Sequence, residues 1–220
     1  MILSSLAPQT SFSDRTRRIM LEPPEARAIV SLGARDLDAC LPWGGLPRDG
    51  LHEILGEGAF GWAYALAGRA LAERQGEMLL LGPPSPLGAY PPGLIRFGIA
   101  PERVLIADAQ GERDRLWTLE ESLRSGCFAV VVAVVDSRDL TASRRLHLAA
   151  EAGQSMALLL CRAGGASAAL TRWEVFPVAG NGNAHWRVSL QRCRGGRSAD
   201  FIAGWDHDAL RLYPTALLGD

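Results

Sequence analysis

Between Asp36 and Ala63 the chain reads DLDACLPWGGLPRDGLHEILGEGAFGWA, and no other stretch limits the possible folds as tightly. A Gly-Gly-Leu-Pro turn precedes a short apolar run, His52 to Leu55, which reads as a strand. Glycines follow from Gly56 to Gly61, and a helical pattern begins at about Trp62. Strand, glycine loop and helix N-terminus in that order build a phosphate cradle. The glycines let the backbone curl, and the helix end offers free N–H groups. The spacing G-x-x-x-x-G is intact at Gly56 and Gly61, with Gly58 between them. The next two positions should be Lys and then Ser or Thr, and they are Trp62 and Ala63. The backbone frame of a nucleotide site is predicted, without the two side chains that grip phosphate and Mg²⁺.

Composition bears directly on that site. All 23 basic residues are Arg, and the sequence contains no Lys. No loop Lys can be borrowed from elsewhere in the chain, and Arg is planar and bulky and does not replace it cleanly. The formal net charge is -1, so there is no global basic field to draw in nucleic acid. Cys40, Cys127, Cys161 and Cys193 are far apart and read as reduced, mostly buried thiols, with neither a disulfide frame nor a zinc site. His52, His147, His185 and His207 have no ligand spacing, so no metal is expected. Met1 to Ala7 lacks a signal peptide's basic start, and no apolar run approaches a membrane span; a cytoplasmic location is expected. No nucleophile with a supporting base and no carboxylate pair with a supporting motif is visible.

Downstream, Met78–Leu81, Arg103–Ala107, Phe128–Val135 and Ser155–Cys161 are short apolar runs that read as buried strands. Helical patterns alternate with them: Trp62–Arg74, Leu94–Ile99, Leu116–Leu123 ending at a Gly126 cap, and Thr141–Glu151. The run FAVVVAVV ends at Asp136, where a carboxylate can hold Mg²⁺ through water, cap the next segment or pair with Arg138; the structural roles are preferred. RAGGASAA, which begins at Arg162 and has no aromatic between it and Arg172, reads as a solvated loop. Thr171–Val178 and Ala184–Cys193 alternate like half-exposed antiparallel strands, and Asp200–Trp205 returns as a hairpin. Arg192, Arg194 and Arg197 sit at its tip, and no acid occurs between Glu174 and Asp200. That patch suits phosphate or an acidic partner, or equally a solvated turn that keeps a sheet edge soluble. Residues 1–28 are expected to be an N-terminal arm, and residues 29–220 a single α/β domain with a hairpin extension over about 171–212.

The segment from Leu37 through the Gly-Gly-Leu-Pro turn to Gly56 resembles the opening of the RecA-like ATPase core, and the resemblance continues through Asp136, covering roughly residues 30–210. With its degenerate loop and short chain, the whole pattern resembles the ImuA family, RecA-related accessory proteins of bacterial mutagenesis cassettes. The resemblance implies a RecA-like P-loop core: a mostly parallel central sheet flanked by helices, with an antiparallel C-terminal hairpin. It also exposes a second departure from an ATPase. Where RecA-like enzymes carry a water-activating Glu, this chain has Pro84 and Ser85. Negligible ATP hydrolysis and no bound cofactor are therefore expected. For function it implies a non-catalytic adaptor in damage-induced translesion synthesis (SOS mutagenesis). The implied partners are an ImuB-like Y-family polymerase homologue, an error-prone replicative-type polymerase through that complex, and RecA; direct DNA contact is left open. Two other readings compete: a SulA-type division inhibitor that binds a tubulin-like GTPase, and an ATPase completed in trans.

Overall fold

Strand β3 (Leu51–Leu55) is buried at every position and lies at the middle of a nine-stranded sheet. The computed structural model describes residues 27–82, 90–109, 111–135, 139–179, 184–206 and 209–213. Before β3 come a two-residue strand β1 (Ile29–Val30), helix α1 (Arg35–Cys40) and strand β2 (Leu46–Pro47), with β1 and β2 paired antiparallel. After it come α2 (Ala59–Glu73), β4 (Glu77–Leu81), α3 (Pro91–Ile95), β5 (Val104–Ala107), α4 (Glu112–Ser125), β6 (Phe128–Val135), α5 (Leu140–Gly153) and β7 (Met156–Cys161). The chain closes with β8 (Thr171–Val178), β9 (Ala184–Cys193), β10 (Ala199–Asp206) and β11 (Ala209–Tyr213). The sheet runs β11-β10-β9-β8-β3-β7-β6-β4-β5. Pairing is parallel from β5 to β8 and antiparallel from β8 to β11. This is the RecA-like core, mostly parallel and flanked by helices, with antiparallel C-terminal strands.

The inner parallel strands are mostly apolar on both faces because each face is covered by helix, whereas the edge strand β5 leaves Leu105 and Ile106 exposed. Alternate residues point to opposite sides. Ile54, Leu80, Val132 and Leu158 meet Trp62, Ala63 and Leu66 of α2 in one core. Leu79, Val131, Ala133 and Leu159 meet Leu119 and Leu123 of α4 and Leu146 and Ala149 of α5 in the other. The alanines of α2 let it lie close to its neighbours, and Gly68 allows closest approach: a Cβ there would stand 1.9 Å from the Phe97 carbonyl oxygen. Helix α4 ends where expected, at Gly126 in the left-handed conformation (φ 68°). Helix α5 begins where the Asp139 side chain accepts from the Ala142 N–H at 2.6 Å.

Some expectations need adjusting. Helix α3 starts at Pro91, not Leu94, and stops at Ile95. Strand β8 is more than the start of an antiparallel extension, because it also pairs in parallel with β3. Cys127 is exposed, although Cys161 and Cys193 are buried. Residues 1–26 of the expected arm, Pro84, Ser85 and Asp136 lie outside the described residues. Among the described residues, no helix is long and apolar enough to cross a membrane.

Two side chains of β3 tie it to β8, one on each face. His52 is fully buried. Its Nε2–H donates to the Pro47 carbonyl at 2.9 Å, which fixes the tautomer, and its Nδ1 accepts from the Thr171 hydroxyl at 2.8 Å. Thr171 Oγ1 in turn accepts from Trp173 Nε1–H at 2.8 Å. A proton added at Nδ1 would break this chain of donors. Burial lowers the His52 pKa from 6.5 to about 4. The unfolded chain therefore binds an extra proton between those values. Stability should be complete above pH 6.5 and fall as pH drops toward 4, by at most about 3 kcal/mol from this group. Burial shifts His147 in the same direction, so it adds to the slope. Denaturant titrations between pH 4.5 and 7.5 (working values near the two pKa limits) should show this loss, and His52→Gln should flatten part of it; an unchanged slope in the variant would remove His52 as the cause.

Candidate functional site

At the end of β3 the backbone turns through Gly56 at φ +92°, a conformation that only glycine adopts without strain. A Cβ here would fall 2.3 Å from the Val175 carbonyl oxygen. That same carbonyl accepts the Gly58 N–H at 2.9 Å. Helix α2 then begins at Ala59, three residues before the expected start, with Gly58 as its N-cap. The Ala59 N–H goes to the Gly56 carbonyl and the Trp62 N–H to the Gly58 carbonyl, both at 3.1 Å. The loop is shorter than the G-x-x-x-x-G spacing implied, and these amides are already paired within the chain.

The glycines are needed for close packing of β8 and β9. A Cβ on Gly58 would lie 2.7 Å from Val175 Cγ1 and 2.9 Å from Trp186 Cδ1. A Cβ on Gly61, now inside the helix, would lie 2.9 Å from Trp186 Cζ2. Trp62 is fully buried and faces the sheet, its ring centroid 5.7 Å from Trp173 and 5.9 Å from Trp186. Phe97 stacks on Trp186 at 6.3 Å and meets Trp205 at 5.3 Å, and Trp205 Nε1–H donates to the Arg96 carbonyl at 2.6 Å. Ala63 is also fully buried. Where a nucleotide site would place a cation and a hydroxyl, this loop places an indole and a methyl inside an aromatic cluster.

On the other face of β3, Glu53 is fully buried and its carboxylate accepts from Arg172 Nε–H at 2.7 Å and from the Ser167 hydroxyl. Arg172 sits opposite Glu53 in the β3–β8 register and also donates to the Gly165 carbonyl. The segment before β8 is thus half fastened: residues 162–166 are exposed and 167–170 buried. Of the predicted arginine patch, Arg192 donates to the Ser167 carbonyl at 2.7 Å and Arg194 to the Ala168 carbonyl at 3.0 Å. These two converge on the loop. Arg197 lies beyond the turn at Gly195 (φ +75°) and is exposed. Between the two arginines, burial pushes the Cys193 thiol up to about 11, so it remains protonated at neutral pH. Among the described residues no group of three His, Cys, Asp or Glu could hold a metal ion.

No protein-family model matches the chain. Two curated proteins of Caulobacter vibrioides do: "Protein ImuA" of strain NA1000 / CB15N and of strain ATCC 19089 / CIP 103742 / CB 15. Each is 33% identical over a 201-residue alignment that covers 79% of this chain and 82% of the relative. The chain belongs to the ImuA family.

In this ImuA-family chain the glycine loop was the residue pattern most visible in the sequence, while Glu53, Thr171 and His147 were missed as site builders. A carboxylate inside the run LHEIL was the available signal for Glu53, since a buried charge needs a partner. If the glycines serve packing, Gly58→Ala should destabilise the fold by about 1–3 kcal/mol, through overpacking against Val175. Adding Val175→Ala should cost less than the two changes summed, because the second removes the atom that the first collides with. Denaturant unfolding of the four-member cycle measures this, and strict additivity would contradict the contact. Trp186→Ala, which empties the space over Gly58 and Gly61, should cost about 3–5 kcal/mol in the same assay.

Proposed function

We propose that this ImuA-family chain is a non-catalytic adaptor in damage-induced translesion DNA synthesis, working through protein contacts and not through ATP turnover. The observation that carries the reading is the occupied loop: Val175 and Trp186 fill the space over Gly56, Gly58 and Gly61 in a chain with no Lys. Phosphoryl transfer depends on cations and dipoles preorganised around the γ-phosphate. Here the loop amides at Gly58, Ala59 and Trp62 are bonded internally, and the following side chains are apolar. What the RecA-like core retains is its shape. A shape of that kind can hold partners, and the family resemblance points to an ImuB-like Y-family polymerase homologue, with an error-prone replicative-type polymerase reached through it.

Two measurements test this reading. Phosphate release from MgATP should stay at the no-protein background, alone and with ImuB present; a protein-dependent rate that saturates with ATP would contradict the non-catalytic half. Mixed with purified ImuB, the chain should co-elute with it in size-exclusion chromatography, and separate peaks at micromolar concentration would remove the adaptor half.

A further inference from the structure

Helix α5 carries a stripe that the fold does not use. Leu140, Arg144 and Leu148 recur at i, i+4 and i+8, so they lie along one helix face. Leu140 is 36% and Leu148 62% exposed, and Arg144 is exposed with no ion-pair partner among the described residues. This face forms one wall of a cleft of about 580 Å³ whose other side is the segment 166–168 and the end of β9. Arg192 of β9 and Arg194, just past its end, also line it. Each is held by one hydrogen bond to a carbonyl of that segment, which positions the guanidinium and leaves its remaining donors available. Among the described residues, none of those lining the cleft is acidic. His147, only 7% exposed, also lines it, and its Nδ1 is buried with no hydrogen-bond partner among the described residues.

We infer that this cleft is a docking groove for an acidic amphipathic helix of a protein partner, with leucine-like side chains against Leu140 and Leu148 and carboxylates against Arg144, Arg192 and Arg194. The charge fixes the sign of the occupant: three arginines converge on one cleft, and carboxylates are the bidentate acceptors that guanidinium groups match. The two exposed leucines fix its apolar face, since an amphipathic helix laid in a groove anchors through residues three and four apart. Nucleic acid fits less well. Among the described residues the lining contains no Phe, Tyr or Trp on which a base could stack, and the chain has a formal net charge of -1.

The inference rests on the adaptor reading only in supposing that the chain holds a protein, and its test does not use ImuB. The probe is a fluorescein-labelled synthetic peptide of about 18 residues, five helical turns, with leucines along one face and glutamates flanking them. Its controls are a scrambled peptide of the same composition and an oligo-dT of equal length. Fluorescence anisotropy with the full chain should show saturable binding of the amphipathic peptide that weakens with salt, and little binding of either control. Arg192→Ala with Arg194→Ala should weaken it at least about tenfold, the loss of roughly one charge-assisted contact. Because those two arginines also brace a loop, Arg144→Glu with Leu148→Ser is the second variant; neither side chain has a hydrogen-bond or ion-pair partner among the described residues, and the same weakening is expected with an unchanged melting temperature. Arg113→Ala on α4 should leave binding unaltered. No saturable binding, or equal binding by wild type and both groove variants, overturns the inference. Tighter binding of oligo-dT that disappears with the same substitutions overturns it in favour of nucleic acid. Separate elution from ImuB alongside groove-dependent peptide binding would reject the proposed partner and keep the groove.

Discussion

The contact between Val175 and the glycine loop organises the rest of the molecule. The Val175 carbonyl accepts from Gly58 N–H at 2.9 Å and stands where a Cβ of Gly56 would have to be. That single approach sets the position of β8 against the start of α2, and Trp186 of β9 follows it onto Gly61. Once those strands are seated, the Gly58, Ala59 and Trp62 amides are bonded within the chain. The loop's glycines then have a structural explanation that needs no ligand: they provide room for a neighbouring strand, which is the other common use of a residue without a side chain.

Strand β8 carries this load because it is fastened to β3 twice. Thr171 meets His52 on one face and Arg172 meets Glu53 on the other, at adjacent positions in the register. Both contacts are buried or nearly so, where a broken partner would leave an uncompensated polar group. The same strand is therefore the last of the parallel set and the first of the antiparallel one. The aromatic cluster of Trp62, Trp173, Trp186, Phe97 and Trp205 fills the angle between α2 and the extension. Apolar burial at that corner replaces the electrostatics of a phosphate site.

The fold class was legible in the sequence because its signals are local. Apolar runs such as Phe128–Val135, the Gly126 cap and the alternation of Ala184–Cys193 each report their own element. The site was legible only in part. Three glycines within six residues read as a loop up to Gly61, yet Gly61 lies in helix because Trp186 needs its bare Cα. The roles of His52 and Glu53 depend on partners 119 residues away, which no spacing rule reveals. Arg192, Arg194 and Arg197 looked like one cluster in sequence. Arg192 and Arg194 bond the segment before β8, and that segment, together with Arg144 and Leu148 on α5, makes the cleft, whose lining does not include Arg197.

The central claim is that this loop no longer receives phosphate because the chain's own strands fill it. Backbone amide NMR during a MgATP titration reads that directly at Gly56, Gly58 and Gly61. The account predicts that these three resonances stay in place as nucleotide is added to millimolar excess. Saturable shifts of all three, dependent on Mg²⁺, would show that nucleotide enters the loop and would contradict it.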